Sequence, residues 1–177
     1  MKHKPNEHLE ILTQAERAAY YEPPDFNEEQ HYEFLTLSQN ELDLVMNRGS
    51  WSTRVYCCLQ IAYFKAVNLF FKVTWNDVSN KTVSFILEQY FYDQKIKLGK
   101  ITDYEYYTQC AAIAELYGFR MWESQFSDLL LNKANELVKL NVNQQFIALE
   151  LLTYLKQQKI IRPQYTTLQG IVITAIN

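Results

Sequence analysis

Ser50, Ser52, Thr53 and Arg54 crowd the start of one long apolar stretch, Ser50 to Phe71. Hydroxyls and a guanidinium at a helix start, beside the unpaired backbone N–H groups there, form a group of donors that can hold an anion. What must position them is the stretch itself. Val55, Leu59, Ala62, Ala66 and Leu69 or Phe70 recur at spacings of three and four, which predicts a helix with one buried stripe. Tyr56, Cys57, Ile61 and Phe64 add apolar surface on its other faces, so this helix is expected to be covered on most sides. By spacing alone it is a core helix with an ordinary serine cap, whose tip can still face an anion.

Other chemistries are poorly supplied. The three cysteines, Cys57, Cys58 and Cys110, are odd in number and two are neighbours, so no disulfide framework follows and a reducing compartment fits. Inside a helix they read as small core residues and not as nucleophiles. The three histidines, His3, His8 and His31, all lie in an acidic first part, and no Cys-x-x-Cys or His-x-x-x-His pair exists, which argues against zinc. A phosphate-cradling glycine loop, a Gly-x-Ser-x-Gly elbow and a His-Glu-x-x-His helix are absent from the sequence. Carboxylates such as Glu28, Glu29, Glu41 and Asp43 read as solvated surface. The expectation is a binding module with no cofactor, no metal and no catalysis of its own. No apolar run approaches the ~20 residues of a membrane span. The basic Met1-Lys2-His3-Lys4 start leads into no apolar signal core.

With 177 residues, 48% hydrophobic and 15% aromatic, and with only 4 Gly and 4 Pro, the chain has the composition of a compact, mostly helical protein. Its net charge of −3 is unevenly spread: Met1 to Ser50 holds 4 basic and 10 acidic residues, the remainder 13 basic and 10 acidic. An anion-binding surface is therefore expected in the later part or at helix tips.

Capping boxes mark the helix starts. They fall at Thr13/Glu16, Ser38/Glu41 and Thr102/Glu105. The first helix must stop at Pro23-Pro24; the acidic segment from Asp25 to Glu33 suits one turn or two. The second box opens a helix carrying Leu42, Val45 and Met46, which ends near Gly49 and with the central helix makes a helix-turn-helix pattern. A helix over 79–92 follows, then a basic linker from Gln94 to Lys100 holding Lys95, Lys97 and Lys100. The third box opens a helix that Gly118 is expected to end. Further helices are expected over 124–140, over 144–158 and from Thr167 onward, the first of them pairing with the Gly118 helix as a second helix-turn-helix candidate.

Three stretches resemble one family when taken in order. The first runs from Phe34, Leu35, Thr36, Leu37 and Ser38 through Glu41-Leu42, Arg48-Gly49 and Thr53-Arg54 to the segment Leu59 to Lys65. The second is Glu115-Leu116-Tyr117-Gly118-Phe119-Arg120. The third is Tyr154 to Ile161, followed by Pro163 and Thr166-Thr167-Leu168. Together they look like the N-terminal domain of the large transposases of Tn-three-type replicative transposons, from about Ile11 to Ile176. The resemblance implies a helical region that recognises transposon terminal inverted repeats. It also implies that the acidic strand-cutting residues lie in a nuclease-like domain further along, so that this chain is an excised fragment or a truncated product. One departure is plain. Where the family has an Arg-rich helix with a His, this chain has Thr102, Tyr106, Tyr107 and Gln109, which removes several phosphate contacts.

The expectation is thus an all-α bundle of about seven to nine helices with helix-turn-helix-like units. It is organised either as 1–72 and 73–177 or as one continuous helical domain. The partner is double-stranded DNA, held by Arg48, Ser52, Thr53, Arg54, Lys65 and Arg120, with help from the linker lysines. No membrane is involved, the full-length transposase self-associates, and the setting is the bacterial cytoplasm and nucleoid. The alternative is a helical protein-interaction module without nucleic acid, which the acidic first part and the excess of Tyr and Phe favour.

Overall fold

The computed structural model describes residues 9–177; His3, His8 and the basic start at Met1 to Lys4 lie outside them. The described residues form an all-α protein of nine α-helices, with one 3₁₀ turn at Trp75–Asp77 and no β-strand. The helices are α1 (Gln14–Tyr21), α2 (Glu28–Phe34), α3 (Gln39–Met46), α4 (Trp51–Val67), α5 (Asn80–Tyr90), α6 (Asp103–Leu116), α7 (Phe126–Val138), α8 (Gln144–Gln157) and α9 (Tyr165–Ile176).

Local chemistry sets these boundaries. All three expected capping boxes are made, each with reciprocal bonds between the cap and the third residue of its helix. A fourth, Asn27/Gln30, opens α2 in the acidic segment. Gly118 has φ 74°. The N–H of Phe119 reaches the Ala114 carbonyl at 2.8 Å and that of Gly118 the Glu115 carbonyl at 3.0 Å. This double closure uses up carbonyls that the end of α6 would otherwise leave bare. Lys159 ends α8 by the same bonds, at 3.0 and 3.1 Å, with φ 53° in a residue that carries a Cβ.

The chain divides into two compact units, Glu22–Arg120 and residues 9–21 together with Met121–Asn177. The division expected at 72/73 falls inside the first of these. Of the second helix-turn-helix candidate, α6 falls in one unit and α7 in the other. The first candidate lies whole within one unit as α3, a turn through Gly49, and α4.

In the Glu22–Arg120 unit, α2, α3, α5 and α6 all pack on α4. Eleven residues of α4 are buried, Thr53 and all ten from Val55 to Phe64, so the helix is covered on every side there, with Val55, Leu59 and Ala62 at 0% exposure. The stripe ends earlier than its spacing suggests: Asn68 turns left-handed at φ 57°, so Leu69 and Phe70 lie beyond the helix. Two polar side chains of α4 then bind the backbone that follows. Gln60 donates to the Phe71 carbonyl at 2.6 Å and accepts from its N–H at 3.2 Å. The Tyr56 hydroxyl does the same for Val73, at 2.9 and 3.0 Å. An irregular segment beside the core thereby keeps its backbone polar groups paired.

The other unit is built on α7, α8 and α9, around a core that includes Leu130, Ala134, Leu151, Leu155, Leu168 and Val172. Ile11, Leu12 and Tyr20 complete it from the N-terminal side. The Arg162 guanidinium lies over the Tyr20 ring, 3.6 Å from its centroid, and donates to the Tyr20 carbonyl.

Candidate nucleic-acid interface

Four of the six sequence-predicted residues come together at the N-terminal end of α4. Ser50 caps the helix: its hydroxyl accepts from the Thr53 N–H at 3.2 Å, and its own N–H donates to Thr53 Oγ1 at 3.0 Å. Thr53 is only 4% exposed, and its hydroxyl is taken up inside the cap. Its place in that cap still has an electrostatic consequence. In the other boxes of α1, α3 and α6 the third residue is a glutamate, whose charge offsets the positive end of the helix. In α4 it is a neutral threonine, and no acidic residue lies in the first turn. The tip keeps its positive potential.

Two arginines flank that tip. Arg54 Nε donates to the Arg48 carbonyl at 3.1 Å, and its guanidinium sits over the Trp51 ring, 4.5 Å from the centroid. This contact fixes a planar cation at the surface without placing a carboxylate beside it. Arg48, half-buried, stands in the turn before the cap.

Ser52 has a different task from the expected one. Its hydroxyl accepts from the Gly99 N–H at 2.8 Å and meets the Lys97 carbonyl at 3.4 Å. The Gly99 carbonyl in turn accepts from Trp75 Nε1 at 2.8 Å. Ser52 therefore pins the basic linker against the α4 tip and has no hydroxyl proton to spare for a ligand. Lys95, Lys97 and Lys100 are exposed along that linker.

Lys65 and Arg120 lie at the other end of α4. Lys65 is in the last turn, about 16 Å along the helix from Arg54 at 1.5 Å per residue. Its ammonium donates to the Thr36 carbonyl at 2.9 Å and pairs with Glu41 at 3.4 Å. Glu41 is 7% exposed and also accepts from the Tyr117 hydroxyl, so Lys65 serves mainly to neutralise a buried carboxylate. Arg120 follows Phe119, whose ring meets Phe64 edge-on at 5.1 Å.

Charge across this unit is segregated. Residues 22–43 carry seven acidic and no basic residues, residues 44–100 carry eight basic and three acidic, and residues 101–120 carry three acidic and one basic. The three cysteines are buried, and burial pushes the Cys57 and Cys110 thiols up to about 12 and the Cys58 thiol well above its ordinary value. They are protonated at neutral pH and poor nucleophiles. No group of three or more His, Cys, Asp or Glu side chains suited to a metal ion occurs among the described residues, and no described helix is long and apolar enough to cross a membrane.

Two residues near the tip carry no site role in the sequence analysis, Gln109 appearing there only as a departure from the family pattern. Gln109, on α6, is 1% exposed; its Nε2 donates to the Thr53 carbonyl at 3.2 Å, while its Oε1 has no partner. Tyr104, also on α6, is 78% exposed. The spacing of Tyr104 and Thr108 within α6 puts them on one face, but only the packing of α6 on α4 brings that face to Arg48.

These features describe an all-α protein in which Arg48, Arg54 and the lysine-bearing linker meet at an α4 start with no acidic residue in its first turn, Glu105 of α6 lying nearby. A family model described as a domain of unknown function (DUF4158) matches residues 11–175, and the chain belongs to that family. No curated protein matches it.

Proposed function

We propose that this chain is the DNA-binding module of a Tn-three-type transposase, which recognises the transposon's terminal inverted repeats and cuts no strand itself. The reading rests on the sequence resemblance set out above and on one structural observation. Ser52 ties the Lys95–Lys97–Lys100 linker to an α4 start that lacks a neutralising carboxylate, so that these lysines, Arg48 and Arg54 share one end of the helix. Phosphates are held there by charge and by helix-start N–H groups, and the α3–α4 pair orients the domain on the duplex. Lys65 and Arg120 are secondary contacts in this reading. Self-association belongs to the full-length transposase, and the setting is the bacterial nucleoid.

The test is a salt titration of binding to a duplex bearing the transposon's own terminal repeat and to a scrambled duplex. Arg54→Ala is expected to weaken both by a similar factor and to flatten the log–log salt dependence by about one unit, because a phosphate contact carries no sequence information. Absence of salt-dependent binding of the wild-type chain to either duplex refutes the proposal. The second reading, a protein-interaction module, then gains from the acidic run over 22–43, which would suit a basic protein partner.

A further inference from the structure

Beside the α4 start lies an open cleft of about 370 Å³, lined among others by Arg48, Gly49, Ser50, Tyr104, Thr108 and Gln109. The N-terminal turns of α4 and α6 both border it. Two buried atoms of its lining lack partners, and they are of opposite sense: Gln109 Oε1 is an acceptor and Arg48 Nε a donor. The Gln109 amide cannot be turned over to repair this, because its Nε2 is held by the Thr53 carbonyl. Turning it would set two carbonyl oxygens against each other. Unpaired groups of this kind are costly enough to need a reason. Tyr104, 78% exposed, also lines the cleft. Glu105 also borders the cleft, with its carboxylate bound to the Thr102 N–H at 2.7 Å, which disfavours an anion at the α6 end and leaves the α4 end for one.

Resting on the DNA-binding reading above, we propose that this cleft takes an unpaired nucleotide, with its base against Tyr104, its phosphate at Arg48 and the α4 start, and a base-edge N–H directed at Gln109. An anion, a flat aromatic face and an edge donor are the three things the cleft lacks, and an unpaired nucleotide carries all three. A base inside a duplex has its faces stacked against its neighbours, and only its groove-edge N–H groups stay open; the Tyr104 ring therefore selects the unpaired base. Arg48 is only half-buried, and its Nε and Gln109 Oε1 belong to the same lining. The ligand is thus a frayed or single-stranded part of the DNA, next to the duplex held by the linker lysines.

The test compares three probes on the whole chain by fluorescence anisotropy. These are a short single-stranded oligodeoxynucleotide of mixed sequence, the same backbone with abasic sites, and the blunt duplex of that sequence. The single strand is expected to bind more tightly than the abasic strand. Tyr104→Ala should weaken single-strand binding on the order of tenfold, while Tyr104→Phe keeps it, since stacking needs the ring and not the hydroxyl. Tyr104→Ala should leave blunt-duplex binding unchanged, and Arg48→Ala should weaken both. Tyr104 is exposed, so its variants fold. If the abasic strand binds as well as the intact one, or Tyr104→Ala acts on single strand and duplex alike, this inference falls while the DNA-binding reading stands. If the duplex is not bound but the single strand is, with the Tyr104 pattern intact, the duplex reading falls and the cleft assignment survives it. If no probe binds, both fall.

Discussion

Replacing Gln60 by Met should cost far more than a change of one polar side chain for an unbranched apolar one of similar size. Gln60 is 0% exposed, and Phe71, whose backbone it serves, is 4% exposed. Methionine fills a similar volume but offers neither bond, so the Phe71 N–H and carbonyl are both left buried without partners. Each such group costs about 1–3 kcal/mol, and the easier burial of the thioether offsets part of the total. A net loss of roughly 2–4 kcal/mol follows, a large share of the ~5–15 kcal/mol by which a domain is ordinarily stable. The measurement is urea unfolding followed by tryptophan fluorescence, to which Trp51 and Trp75 report from the same unit. With a denaturant slope of about 1–3 kcal/mol per molar, the midpoint should fall by ~1–3 M at unchanged slope. Tyr56→Phe is the comparison. It removes the matching pair of bonds to Val73, but that residue is only half-buried and water can replace the hydroxyl, so the loss should be smaller, about 1–2 kcal/mol. A Gln60→Met loss under ~0.5 kcal/mol, the range of an ordinary surface change, or the reverse order of the two variants, would refute the reasoning.

The two left-handed helix ends should respond in opposite directions. Gly118→Ala puts a Cβ at φ 74° and should lower stability by about 1–2 kcal/mol, whereas Lys159→Gly relieves the same penalty at φ 53° and should raise it by ~0.5–1 kcal/mol after the added freedom of the unfolded chain, both by thermal or urea unfolding. His31 is held below its ordinary value of 6.5 chiefly by burial, against the charges of Asp25 and Glu28 and with that of Lys81. Its ring faces the Thr82 hydroxyl at 2.8 Å. The unfolded chain then takes up the proton first, so this contribution to stability is whole above pH ~6.5 and is lost as the pH falls through the folded value; His31→Gln should flatten the fall when unfolding is repeated across that range. For the cysteines, Ellman's reagent at mildly alkaline pH should label none in the folded chain and three after denaturation, and fast labelling of the folded protein would contradict their burial.

Local signals carried most of the fold. Thr13/Glu16, Ser38/Glu41 and Thr102/Glu105 each start a helix within their own four residues, and Gly118 ends one, because caps are made by atoms a few bonds apart. The three-and-four spacing of Val55, Leu59 and Ala62 was enough to identify the buried helix. The end of that helix was not legible, since Leu69 and Phe70 continue the pattern while Asn68 turns the chain and Gln60 draws Phe71 back. The sequence marked Arg48, Ser52, Thr53 and Arg54 as neighbours because one helix start holds them all. It could not assign their tasks. Ser52 serves Lys97 and Gly99, 45 and 47 residues away; Lys65 answers Glu41 across 24 residues; Gln109 meets Thr53 across 56. Which hydroxyl, ammonium or amide is used up, and which is left facing an open cleft, depends on partners that only the packing of α3, α6 and the basic linker on α4 brings within hydrogen-bond reach.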